Sequence, residues 1–156
     1  LGAAFFSGVL YKNLDITMFM NGVLGGLVGI TAGADQMGPT EAIIVGAVGG
    51  VVVVLGVALL DKCKLDDPVG AIPVHLFAGI WGTLAVGLLG ASSGFDQFMV
   101  QLASTGIVGA FCIIGAIIIT FIVKSIMGLR VSEEEETKGL DIAEHGTGAY
   151  GDFSMR

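Results

Sequence analysis

Long runs without charged residues constrain this chain more than any other feature. Residues 16–34 and 42–60 are each 19 residues long and residues 68–95 number 28, and none of the three runs contains Asp, Glu, Lys or Arg. A helix needs about 20 apolar residues to cross a bilayer. The chain is 54% hydrophobic and only 13% charged, against about 25% charged residues in soluble domains. These features predict an integral membrane protein.

The order of the runs predicts an all-α, polytopic transmembrane helix bundle. Four complete spans are expected at residues 16–34, 42–60, 68–90 and within 97–123, preceded by a partial N-terminal helix at residues 1–11, which is too short to cross a bilayer. Glycines recur at four-residue spacing in the first two complete spans, and small residues let membrane helices approach closely. We divide the chain into a transmembrane bundle, residues 1–127, and a C-terminal tail, residues 128–156.

The basic residues predict the orientation of the bundle. With four spans crossing alternately, every Lys and Arg falls on one side of the membrane, and the opposite loops at residues 35–41 and 92–96 contain none. By the positive-inside rule, that side is cytoplasmic. We therefore expect a protein of the cell membrane (inner or plasma membrane) with a cytoplasmic C-terminus. The seven basic residues are Lys12, Lys62, Lys64, Lys124, Arg130, Lys138 and Arg156.

His75 is the one titratable side chain in residues 68–95. Ionisable groups inside membrane spans are rare and mark functional sites, because they are costly to place in hydrocarbon. Imidazole can accept a proton at one ring nitrogen while it donates from the other, which suits it to proton handling. Two interpretations remain open at this point: a histidine that lines a pathway, and a structural histidine bonded to a neighbouring helix.

The remaining candidate residues have simpler explanations. Asp66 and Asp67 precede Pro68 at a helix start, where carboxylates cap free N–H groups, so we favour capping over a pair of catalytic carboxylates. Thr31 lies deep in the first complete span, where a threonine often bonds its own helix backbone. Cys63 and Cys112 have no metal-ligand or redox spacing and are expected to be free thiols. We predict no metal, no cofactor, no enzymatic activity and no nucleic-acid partner.

Several ordered motifs resemble the C-terminal part of the ammonium transporters, the Amt/Mep/Rh family. They are Gly26-Leu27-Val28-Gly29-Ile30-Thr31-Ala32-Gly33, Asp66-Asp67-Pro68-Val69-Gly70-Ala71-Ile72 with Val74-His75, Trp81-Gly82-Thr83-Leu84, Gly128-Leu129-Arg130-Val131, Gly139-Leu140-Asp141 and Glu144-His145-Gly146. The resemblance covers nearly the whole chain. It implies an eleven-helix fold, of which this chain supplies the end of the seventh helix and helices eight to eleven.

The resemblance also implies a function and a set of partners. Family members conduct ammonium or ammonia between two inverted halves, and His75 corresponds to the second pore histidine, with Thr31 near the pore. Pro73 and Leu76 depart from the common pattern, in which small residues are frequent, so the helix start and the shape of the path beside the imidazole are open. The resemblance further implies a homotrimer whose tail responds to a PII-type regulatory protein.

A second function class fits the same residues. A membrane-embedded ammonium sensor or PII-docking module could keep the histidine and the tail without transporting anything. In the tail, Ser132-Glu133-Glu134-Glu135 fits a capping box, which predicts a short helix that Gly139 ends.

Overall fold

The computed structural model describes residues 1–13 and 15–149, and all regular structure in these residues is helical. This confirms the predicted all-α fold. Arg156 lies outside the described residues. In chain order the elements are α1 (Gly2–Tyr11), α2 (Ile16–Thr31), α3 (Pro39–Cys63), a π-helical turn (Ile72–Phe77), α4 (Ala78–Leu89), α5 (Phe95–Met127), α6 (Glu133–Lys138) and α7 (Leu140–His145).

Three helical segments among the described residues are long and apolar enough to cross a membrane. They are Pro39–Cys63, Ile72–Leu89 and Phe95–Met127. Helix α2 is shorter than the predicted span, because the chain leaves the helix after Thr31 and turns tightly, with the Gly33 N–H on the Ile30 carbonyl and the Gln36 N–H on the Gly33 carbonyl. Its 16 residues extend roughly 24 Å at 1.5 Å per residue.

The chain forms two compact units, Leu1–Gly109 and Ala110–Arg156. In the first unit, α3 contacts α1, α2, the π-helical turn and α4, and α2 also packs against α4. Glycines that face α2 from α3 and α4 make this possible: a Cβ on Gly49 of α3 would lie 2.9 Å from the Gly25 carbonyl oxygen, and a Cβ on Gly82 of α4 would overlap the main chain of Gly29. The predicted small-residue face is therefore a packing face.

The core of the first unit includes the segment that carries the histidine. Val53 of α3, Val74 of the π-helical turn and Ala78 of α4 form a buried cluster, and Val28 of α2 packs against it. Burying a valine side chain fully stabilises a fold by about 1.5–3 kcal/mol. Val74 and Ala78, which flank His75 in the chain, are thus fixed by apolar packing against α2 and α3.

In the second unit, the described residues comprise the end of α5 and the tail helices. Helix α5 continues from Ala110 to Met127, and Gly128 follows it with φ of 79°, a conformation that glycine adopts without strain. Cys112 on this helix and Cys63 of the first unit are both free thiols, as predicted, and both are exposed.

Candidate functional site

His75 lies in the π-helical turn Ile72–Phe77, where we had expected an ordinary helix beginning at Pro68. Residues 68 and 69 instead form a turn that the Gly70 N–H closes on the Asp67 carbonyl, 3.2 Å apart. Pro73 contributes to the difference, because it has no N–H to donate to the carbonyl four residues earlier. The Ala78 N–H bonds the Pro73 carbonyl, a step of five residues. Single π-turns of this kind are frequent at functional sites.

The π-helical turn buries one side and exposes the other. Pro73 and Val74 are buried, and Phe77 lies against Gly56, where an added Cβ would be 2.6 Å from the ring. His75 is exposed, and its neighbour Leu76 is 51% exposed. The turn therefore presents the imidazole and the Leu76 side chain together, away from the core of the first unit.

Asp67 caps the helical segment that carries His75. One carboxylate oxygen accepts the Ala71 N–H at 2.9 Å, and the other accepts the Ile72 N–H at 2.8 Å. A carboxylate at this place satisfies N–H groups that have no partner within the helix. Asp66 is exposed and takes no part in these two bonds.

Asn21 of α2 was not identified from the sequence, yet it contacts this segment. It is 8% exposed, and its side-chain N–H donates to the Val69 carbonyl at 3.1 Å. The sequence did contain a signal for this contact. Asn21 is the one amide side chain in an uncharged run of 19 residues, and polar groups in membrane spans need partners. Two side-chain hydrogen bonds in the described chain join residues 69–89 to α2 and α3, from Asn21 to Val69 and from Trp81 to Val45, and neither involves His75.

Thr31 is not brought next to His75. Its hydroxyl donates to the Val28 carbonyl of its own helix, and its side chain is exposed at the last residue of α2. Gly29 of α2 packs against Gly82 of α4. His75 comes seven residues before Gly82, which is roughly 10 Å along a helix axis at 1.5 Å per residue. Thr31 follows Gly29, so the contact between the two glycines lies between Thr31 and His75.

The tail contains the predicted capping box. The Ser132 hydroxyl accepts the Glu135 N–H, and the Glu135 carboxylate accepts both the Ser132 backbone N–H at 2.9 Å and the Ser132 hydroxyl proton at 2.7 Å. Both bonds from Ser132 lower the pKa of the Glu135 carboxyl, and the bond from the Ser132 hydroxyl has the larger effect. Arg130 pairs with Glu136 at 2.6 Å.

The second short helix of the tail has its own local contact. The Asp141 carboxylate accepts the Ala149 N–H at 2.8 Å, which lowers the pKa of that carboxyl. Within residues 1–13 and 15–149, no three His, Cys, Asp or Glu side chains come together as metal ligands would.

Comparison with known proteins places the sequence in one family. The model of the "Ammonium Transporter Family" matches residues 1–150. A putative ammonium transporter of Synechocystis (sll1017) is 46% identical over 139 residues, which cover 86% of this chain and 30% of that protein. Ammonium transporter Amt2 of Archaeoglobus fulgidus is 38% identical over 156 residues, covering 89% of this chain and 33% of the relative.

A solved structure supports the same fold. The protein titled "Sensor Amt Protein" superposes with a TM-score of 0.85 at 28% identity, over 92% of this chain and 38% of that one. The chain thus spans about a third of the length of the curated relatives that it matches.

Proposed function

The chain belongs to the ammonium transporter family, and from this membership we propose that it forms part of a pathway that carries ammonium or ammonia across a membrane. It is an integral membrane protein of helical spans. The relatives of several organisms are named ammonium transporters. The chain spans about a third of those relatives, so the pathway is proposed for the complete gene product.

His75 is the residue that we propose to handle the proton along this pathway. The observation that carries the proposal is the exposed imidazole on a π-helical turn, within a run of residues otherwise free of charge. In a membrane protein, a side chain on such a face must meet protein, water or substrate, because an ionisable group facing lipid is costly.

The chemistry follows from the properties of ammonium. The ion sheds its hydration shell only at high cost, whereas neutral ammonia passes an apolar path more easily. Imidazole can accept a proton at one nitrogen and donate from the other, so His75 can take and return a proton next to the passing substrate. Leu76, exposed beside it, narrows the apolar path at the same level.

Two further residue roles belong to this proposal. Asp67 supports the site by capping the turn through Ala71 and Ile72, and Asp66 adds a second acid at the same helix start. Thr31 is proposed as a second lining residue, because its side chain is exposed at the end of α2.

Topology and partners are proposed on the same basis. We propose that the protein lies in the plasma or inner membrane. By the positive-inside rule, the turn after α3 and the C-terminal tail would then face the cytoplasm. We also propose a homotrimer, and a PII-type regulatory protein that contacts the tail, as the family resemblance implies.

Substitution of His75 in the complete gene product, reconstituted in liposomes, tests the proposal. His75→Leu removes both ring nitrogens, so ammonium-driven pH change should fall about 100-fold or more, the lower end of what proton-transfer groups contribute. His75→Asp keeps a titratable group and should retain partial transport. Folding is measured on the same samples by size-exclusion chromatography. If folded His75→Leu protein transports at the wild-type rate and still excludes potassium, His75 is structural.

A sensor function is the second candidate, and the likeness to the structure titled "Sensor Amt Protein" favours it. A sensor of this kind would bind ammonium without moving it. Measuring ammonium binding by calorimetry beside the liposome flux separates the two, because binding with no flux above empty vesicles supports the sensor and contradicts the transporter.

A further inference from the structure

We propose that Asn21 is a positioning residue that fixes the turn before His75 and thereby sets the direction of the imidazole. The proposal rests on the proposed pathway role of His75. It concerns a residue on a different helix, 48 positions from its bonding partner Val69 in sequence.

The need for this bond lies with the Asn21 amide. Asn21 is 8% exposed, and a buried polar group left without a partner is costly. Its side-chain N–H donates to the Val69 carbonyl at 3.1 Å. Val69 lies outside the helical segment that carries His75, because Gly70 after it has φ of 73°. Asn21 therefore holds the turn from the neighbouring helix.

The turn is also shaped around the Asn21 side chain. Gly70 has φ of 73°, and a Cβ at this position would lie 2.6 Å from the Asn21 amide nitrogen. Glycine is required here both for its backbone conformation and for the space that the amide occupies. Asn21 thus contacts two successive residues of the turn.

These contacts lead directly to His75. The Gly70 carbonyl accepts the Val74 N–H at 3.1 Å, and Asp67 holds the N–H groups of Ala71 and Ile72. Gly70, the residue after Val69, is therefore tied to the residue before His75 by a backbone hydrogen bond. A shift of the turn away from α2 would rotate the start of the π-helical turn, and the imidazole with it.

The test removes the Asn21 amide. In the complete gene product, Asn21→Leu removes the amide at similar volume, and Asn21→Ser, made in parallel, carries a hydroxyl that is too short to reach. We expect transport per folded protein to fall about tenfold or more in both, since misplacement of a catalytic group by about 1 Å costs up to ~100-fold.

A second readout does not depend on transport. In protein labelled with ¹⁵N-histidine, the His75 NMR signal, assigned by its loss in His75→Leu, should move in both Asn21→Leu and Asn21→Ser. Thr83→Val is the matched control, because the Thr83 hydroxyl bonds only the Gly79 carbonyl of its own helix, and it should leave the signal in place.

The outcomes separate this proposal from the proposed function. An unmoved His75 signal in both Asn21 variants, or an equal movement in Thr83→Val, overturns the positioning role. A signal that moves in the Asn21 variants alone while transport stays at the wild-type rate supports positioning of the imidazole by Asn21 and contradicts the pathway role of His75.

Discussion

Trp81 donates its indole N–H to the backbone carbonyl of Val45, 3.0 Å away, and this bond ties α4 to α3. The same ring lies 3.7 Å from the place where a Cβ on Gly29 of α2 would be. One side chain thus joins three helices, two turns after His75. The position of Trp81 fixes α4, which continues directly from the π-helical turn that carries His75.

We expect Trp81→Phe to destabilise the bundle by about 1 kcal/mol, the usual net contribution of a hydrogen bond. Trp81→Leu should cost about 3 kcal/mol, because it also removes ring contacts and leaves a cavity. Unfolding in SDS–detergent mixtures, followed by circular dichroism, measures both. Phe95→Leu is the control, since that ring is 78% exposed. Equal unfolding midpoints for Trp81→Leu and Phe95→Leu would show that Trp81 does not tie the helices.

A matched pair of glycine substitutions tests the close approach of α2 and α4. At Gly82 a Cβ would overlap the main chain of Gly29, whereas at Gly106 of α5 it would meet nothing within 4 Å. Gly82→Ala should destabilise by about 1–3 kcal/mol, as overpacking does, and Gly106→Ala should be neutral or slightly stabilising, because alanine favours helix. The same SDS unfolding assay applies. Comparable midpoints for the two variants would contradict the proposed contact.

The sequence predicted the helices well because membrane spans follow from local composition. Uncharged runs and glycine spacing sufficed for α3, α5 and the packing faces of α2. The end of α2 at Thr31 and the π-helical turn were missed, because both depend on backbone hydrogen bonds that composition does not determine. Asn21 was missed for a related reason: its partner Val69 is distant in sequence and becomes identifiable only when α2 and the turn are placed side by side.

The candidate site was predicted in part. His75 could be identified as the single ionisable group in an apolar run, and Asp67 as a cap, because each inference needs only neighbouring residues. The exposure of His75 and Leu76 on the same side could not be predicted, since an extra residue in a helical turn rotates every following side chain. Pro73 signalled an irregularity, but the sequence alone did not determine its form.

The last prediction concerns the pH dependence of α6. Its capping box lowers the pKa of Glu135 in the folded tail, so the ionised carboxylate stabilises the helix. This contribution is fully present above the ordinary carboxyl pKa of 4.5 and is lost as the pH falls through the lowered folded-state value. In the full chain, ¹³Cα shifts of Glu133–Lys138 should therefore report helix at pH 7 and its loss in acid. Glu135→Gln keeps both hydrogen bonds of a capping box without titrating, so α6 should persist to lower pH in this variant. Identical acid transitions in the two proteins would show that Glu135 does not control the start of the helix.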